Sequence, residues 1–243
     1  MFDLIPAIDL LDGKLVRLHQ GNYDQITTYG HNPVSVAESF AEAGAHWIHV
    51  VDLNAARSGI PRHQKEIEDI IKHVTVNVQV GGGIRSQEVA EEYLQLGAGR
   101  IVLGSSAVEN PQLLSSLLSA YSSRIAVGVD AKDGLVLVRG WEARTQLKAT
   151  DFALALAQSG VRTLIYTDVA RDGSLAGPNL KSLEEFLGAV SVTVIASGGV
   201  GSVEDVVSVR ALQKNYPHLS GLITGKALYD GRIRLRDALE ALQ

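Results

Sequence analysis

The 243-residue chain contains no cysteine. Disulfides, thiolate metal ligands and a thiol nucleophile are therefore excluded, and nothing marks a secreted protein. A basic excess is also missing: 22 Lys and Arg against 27 Asp and Glu leave a net charge of −5, with the acids spread along the chain. A nucleic acid or an anionic membrane surface calls for a basic stripe, so neither partner is expected. A small anionic ligand stays open, because a few Arg, Lys and backbone amides can hold it whatever the net charge. No apolar run approaches the ~20 residues of a membrane span. The opening segment MFDLIPAIDLLDG has an acid at position 3 and no basic leader, so it does not read as a signal peptide. A cytoplasmic protein is expected. The seven histidines show no spacing of the H-E-x-x-H kind, and no metal is expected.

What the chain does have is alternation. Short β-branched runs cover 4–9, 47–53, 76–82, 100–105, 125–131, 163–169, 192–199 and 221–227. Most are continuously apolar, the pattern of strands buried on both faces in a parallel sheet. Between them lie helical patterns such as 33–44, opened by Pro33 and closed by Gly44, and 86–97, 150–160 and 202–213. Eight such units in 243 residues predict one (β/α)8 barrel domain spanning 1–243, since these barrels typically take about 250 residues. A doubly wound open sheet is the second choice.

The units also repeat. AIDLLDG (7–13) and GVDAKDG (128–134) share Asp-x-x-Asp-Gly, and Asp9 pairs with Asp130 at an offset of 121. Asp52 pairs with Asp168 at 116, Gly81-Gly82 with Gly198-Gly199 at 117, and Gly104 with Gly225 at 121. Each pair sits at the ends of strands n and n+4, which predicts two half-barrels, about 1–122 and 123–243. Both Asp-Gly turns lead into a further β-like stretch.

In such barrels the strand C-termini line the active-site face. Asp9 and Asp130 then face each other across the mouth, an arrangement suited to one base and one acid. Either acid alone reads better as a cap or an ion-pair partner; their symmetric placement favours chemistry. The glycine turns after strands 3 and 7, with Gly82, Gly83, Gly198 and Gly199, lead to helices with expected N-caps Ser86 and Ser202. With Gly104, Ser105, Gly225 and Lys226 on the neighbouring strands they form two anion cradles, suited to a ligand with a phosphate at each end. Nucleotide motifs do not fit: GLITGKA is one residue short of a P-loop and has Ala227 at the magnesium-binding position, and GGVGSVE lacks the third glycine of a dinucleotide fingerprint. Arg17, Arg85 and Trp141 lie in or beside post-strand loops, where they either reach a ligand or pack on the rim. His49 lies inside the second strand, as a core histidine or a ligand contact. Asp168 ends the sixth strand, and Asp172 and Gly177 belong to a loop after it that can close over a ligand.

IPAIDLLDGKLVRLHQGNY, QVGGGIRS, VLGSSAV, YTDVARDGSLAGPN, ASGGVGS and GKALYDG resemble, in order and spacing along the whole chain, the HisA family of histidine-biosynthesis isomerases. These are half-barrel-repeat members of the ribulose-phosphate-binding barrels. The resemblance implies an Amadori rearrangement of the aminoaldose bisphosphate ProFAR to the aminoketose PRFAR, with no cofactor and no obligate partner, hence a monomer. It implies Asp9 as base, Asp130 as acid and Thr167 hydrogen-bonding beside them. Arg17, His49, Arg85, Trp141, Asp168 and Asp172 are expected to contact the substrate, and the cradle residues with Gly177 its phosphates. The sister cyclase of imidazole glycerol phosphate synthase shares both aspartates and both cradles. RLHQGNY and RGWEA (139–143) match the isomerase loops. A bifunctional enzyme that also isomerises phosphoribosyl anthranilate, and a non-catalytic bisphosphate-binding barrel, are further readings. Asn54-Ala55 stands where the family usually has Asp-Gly, which bears on the conformation of the strand-2 loop.

Overall fold

The computed structural model describes residues 2–243. Twelve strands form one sheet: β1 Asp3–Leu11, β2 Lys14–His19, β3 Asn22–Gly30, β4 Trp47–Asp52, β5 Asn77–Gly81, β6 Arg100–Leu103, β7 Ile125–Lys132, β8 Leu135–Val138, β9 Ala143–Lys148, β10 Thr163–Asp168, β11 Thr193–Ser197 and β12 Leu219–Thr224. Eight of them, β1-β4-β5-β6-β7-β10-β11-β12, run parallel around a closed ring, sealed where Asp3–Pro6 of β1 pairs with Gly221–Thr224 of β12. This is a (β/α)8 barrel.

Apolar continuity in the strands follows from the two cores. Outward residues such as Ile8, Ile48, Val80, Ile101, Val127 and Leu164 are fully buried against the helices. Inward residues, among them Ile5, Ala7, Val102, Ala126, Ile165, Ile195 and Ile223, fill the barrel itself. Each large side chain removed from water in this way contributes roughly 1.5–3 kcal/mol. Helix starts are set by polar caps: Asn32, Ser86, Asn110, Asn179 and Ser202 each accept a hydrogen bond from an amide of the first turn. The expected caps Ser86 and Ser202 are both present.

The expected strands run too far at their C-terminal ends. β5 stops at Gly81 and β11 at Ser197, because the glycines that follow turn the chain out of the sheet with positive φ. The repeat also has a different register there. Gly82 and Gly83 have φ of +98° and +65°, and Gly198 and Gly199 have +101° and +90°. A Cβ on Gly82 would meet the Asp52 backbone, and one on Gly198 the Asp168 backbone. Gly82-Gly83, not Gly81-Gly82, is thus the structural counterpart of Gly198-Gly199.

Both Asp-Gly turns are left-handed at both residues, Asp12 and Gly13 at +49° and +74°, Asp133 and Gly134 at +52° and +76°. That is the two-residue hairpin turn whose twist matches the flanking strands. Each leads into an antiparallel pair, β2–β3 and β8–β9, that stands above the barrel mouth. The sequence reading did not foresee the second strand of either pair: β3 has no clear apolar alternation, and β9, although it alternates Ala143-Thr145-Leu147 against Arg144-Gln146-Lys148, is only six residues long. Asn54-Ala55 falls in a short helix, Leu53–Ser58, capped by Asp52. Asn54 there exchanges hydrogen bonds with Asp12 across the first hairpin turn, at 2.9 and 2.8 Å.

Candidate active site

β7 is the fifth strand of the ring counted from β1, so their ends oppose each other. Period-two alternation turns Asp9 and Asp130 inward, and both line the central cavity, which encloses about 200 Å³. Arg17 comes from β2, folded back on β1 by the Asp-Gly turn. Its Nη1 lies 2.7 Å from Asp9 Oδ2; Arg17 is buried and the Asp9 side chain 14% exposed. Burial raises the Asp9 carboxyl to about 6; the Arg17 guanidinium draws it down and Asp172 pushes it further up. A carboxylate with this value is largely ionised at neutral pH yet still basic enough to take a proton from carbon.

Asp130 is also pushed up by burial, and Asp172 adds to this, while hydrogen bonds from Trp141 and Thr167 oppose it. Thr167 is paired in register with Asp130 on neighbouring β10. Asp172, in the loop after β10, is itself raised by burial and drawn down by Arg17 and His19. Three carboxyls thus surround one cavity, with Arg17 the buried cation beside them. His49 lines the floor, and burial with two nearby guanidiniums, Arg17 and Arg100, presses its pKa down to about 3. It is a neutral hydrogen-bonding group.

Two glycine cradles flank the acids. Gly82, Gly83, Arg85, Gly104, Ser105 and Ser106 line one end of the central cavity. A second, smaller cavity on the other side is lined by Gly198, Gly199, Thr224, Gly225, Lys226 and Arg17. Each contains a buried hydroxyl with no hydrogen-bond partner among the described residues, Ser106 Oγ and Thr224 Oγ1. An orphaned buried donor costs about 1–3 kcal/mol, and an anion seated in the cradle would satisfy it. The cradles are not identical. Asp205 Oδ2 already accepts from the amides of Gly201 and Ser202 at 2.8 and 3.0 Å, so the second cradle must rely on the amides before them. Arg17 fills the space above Gly225, where any Cβ would meet its guanidinium; Gly104 has open space at that point.

Three loops cover the mouth. Gln20 donates from its backbone to Asp172 O (3.1 Å) and from its side chain to Ala170 O (2.7 Å). Gly21 packs on the Trp141 ring so closely that a Cβ would overlap it. Apart from the two Asp-Gly turns, the positive-φ non-glycine residues among those described are Gln20, Arg139, Trp141 and Leu175, all in these loops. Such backbone strain, of order 1–3 kcal/mol each, persists where the surroundings hold it.

Some candidates do not reach the cavity. Asp168 points outward from the barrel: its carboxylate accepts from Ala170 N (3.0 Å) and Asn179 Nδ2 (2.9 Å), as Asp52 accepts from Ala55, Arg62 and His63 amides. Both acids brace strand-end loops. The Gly177 amide donates to Gly199 O at 2.9 Å, and Gly177 supports the second cradle from behind. Lys226 lines that cradle, while its Nζ donates to Tyr29 Oη and pairs with Asp230. Arg85 sits at the rim, donating to Ala56 O. Ser106, Thr224, Gln79 and Ser197, which lines both cavities, were not singled out from sequence; their positions rest on which face of a strand or turn they occupy. Among the described residues no group of three His, Asp or Glu side chains is placed to hold a metal ion.

The family model described as "Histidine biosynthesis protein" matches residues 3–234. Curated relatives extend over nearly the whole chain. One from Synechococcus is 46% identical over 99% of this chain and 93% of its own length. One from Ruminiclostridium cellulolyticum is 45% identical over 98% and 99%, and one from Gloeobacter violaceus 47% over 98% and 93%. Each is named an imidazole-4-carboxamide isomerase, in a name that specifies two 5-phosphoribosyl groups. With a parallel barrel, opposed acids and twin cradles already in place, these matches make the chain a member of the histidine biosynthesis protein family.

Proposed function

We infer that the protein is an isomerase of histidine biosynthesis that converts the aminoaldose ProFAR to the aminoketose PRFAR by acid–base catalysis. The observation that carries this reading is the pair of largely enclosed carboxyls, Asp9 and Asp130, opposed across one cavity between two glycine cradles. A bisphosphate fits such a site: one phosphate in each cradle suspends the reacting sugar between the acids.

The chemistry divides between them. Asp130, whose carboxyl burial pushes up toward the protonated form, gives its proton to the ribose ring oxygen as the C1′–O bond breaks, leaving a Schiff base. Asp9, ionised beside Arg17, takes the proton from C2′ and the electron pair moves into the C1′–C2′ bond, giving an enaminol. Tautomerisation moves the hydroxyl proton from O2′ to C1′ and yields the ketone. The two carboxyls end with exchanged protonation states and are reset by solvent. Loop closure by Gln20, Trp141 and Asp172 excludes water from the Schiff base, which water would hydrolyse.

We propose that it acts as a monomer, since both acids and both cradles come from one chain. The test is conversion of purified aminoaldose, followed by the ketose absorbance change, with no ammonia and no glutaminase added. Absence of turnover at micromolar enzyme would refute the reading.

A further inference from the structure

His49, Gln79 and Arg100 are register partners on β4, β5 and β6, at one level inside the barrel and below the acids. Arg100 Nε and Nη2 donate to Gln79 Oε1 at 3.1 and 2.6 Å. The Gln79 side-chain amide nitrogen lies 2.8 Å from His49 Nδ1. Gln79 is fully buried, so its amide depends on these two contacts rather than on bulk water. The guanidinium also stacks on Trp47, 4.3 Å from the ring centroid, which fixes it from the other side.

This chain of contacts has one consistent proton assignment. A guanidinium has donors only, so the amide oxygen must face Arg100. The amide nitrogen therefore faces His49, and it too can only donate. His49 Nδ1 must accept, which leaves the ring proton on Nε2. Reversing the amide would set donor against donor beside a buried cation. The His49 ring borders the cavity, and Nε2 has no hydrogen-bond partner among the described residues.

We propose that Gln79 and Arg100 are positioning residues that lock His49 as the Nε2–H tautomer, so that the ring offers a hydrogen-bond donor to a sugar oxygen held between Asp9 and Asp130. The proposal rests on the isomerase reading for the identity of that oxygen, but the tautomer does not. A neutral donor suits this place. It stabilises negative charge growing on O2′ as the hydroxyl proton leaves in the tautomerisation, without adding a third cation to Arg17 and Arg100.

The experiment is 15N NMR of the histidine side chains in the full-length protein, assigned with His49→Asn, alongside steady-state kinetics. Wild-type His49 is expected to show a pyrrole-type Nε2 and a pyridine-type Nδ1 near neutral pH. In Gln79→Glu the carboxylate still accepts from Arg100 but cannot donate to His49, so the ring proton moves to Nδ1. With it, kcat should fall at least about tenfold, while KM, set largely by the phosphate cradles, changes less. Gln79→Met, which removes the donor without adding charge, should give mixed tautomers and a smaller loss. An Nδ1–H wild type, a switched tautomer with wild-type kcat, or a lost kcat with an unswitched tautomer would each overturn the proposal. If neither variant folds, the wild-type spectrum still decides. Wild-type protein without turnover would instead refute the isomerase reading and leave the spectrum to judge the relay.

Discussion

Replacing Asp9 by Asn should abolish turnover and stabilise the fold at once. Burial lifts the Asp9 carboxyl from 3.8 to about 6, net of the attraction of Arg17. A folded-state value above the unfolded one means that the ionised form is the disfavoured one in the native protein. Its cost is absent below the unfolded pKa and complete above the folded pKa. A shift of about two units corresponds to roughly 3 kcal/mol at pH 8, falling to about 1.6 kcal/mol at pH 5. Asn has the shape of the protonated acid, and its amide oxygen can face Arg17, so Asp9→Asn should recover up to that amount. For a chain of this size the gain is about 6–12 °C in melting temperature at pH 8, shrinking as the pH falls. Turnover should drop by about 10²–10⁴-fold, the usual worth of a general base, while binding of the bisphosphate product survives. Thermal or urea unfolding of both proteins across pH 5–8, with the isomerase assay, measures all three quantities. A destabilised variant, or a stability gain independent of pH, would refute the burial argument. A variant with near wild-type turnover would refute Asp9 as the base.

Further outcomes follow from the same geometry. The rate of wild-type enzyme should fall as pH drops through about 6, where Asp9 takes up its proton, and this acid limb of the kcat/KM profile should be lost if Asp9 is not the base. Asp130→Asn should lose turnover by a similar factor yet bind product, since Asn cannot protonate the ring oxygen; calorimetric titration with product checks the binding. Gly21→Val places a side chain inside the Trp141 ring at a positive φ of +71°, so the mouth loops should fail to close and kcat and KM both worsen, with a stability cost of roughly 1–3 kcal/mol read as a lower melting temperature. Gly83→Ala meets the Ala55 carbonyl at a positive φ of +65° and should cost roughly 1–3 kcal/mol, read by urea unfolding.

Fold class was legible because its signals are local. Continuous apolar strands, caps such as Ser86 and Ser202, and Asp-Gly turns act within a few residues of where they are written. The repeat of Asp9 and Asp130 was legible for the same reason: each acid sits at a fixed step from an identical turn. The sequence by itself thus determined eight βα units and two acids at one end of the barrel. Tertiary structure decided the rest. Asp130 and Asp168 end neighbouring strands of one half-barrel and are both acids, but alternation turns one into the cavity and the other into a loop brace. The glycine register shifted by one residue because positive φ, not glycine content, marks the cradle. Proton affinities depended on partners far away in sequence: Trp141 and Thr167 on Asp130, and Arg17 and Asp172 on Asp9. His49 took its tautomer from Arg100 through Gln79, three residues on three strands that only barrel closure sets side by side. Burial and charge act through space, so the roles of two related acids appear only once the chain has folded around them.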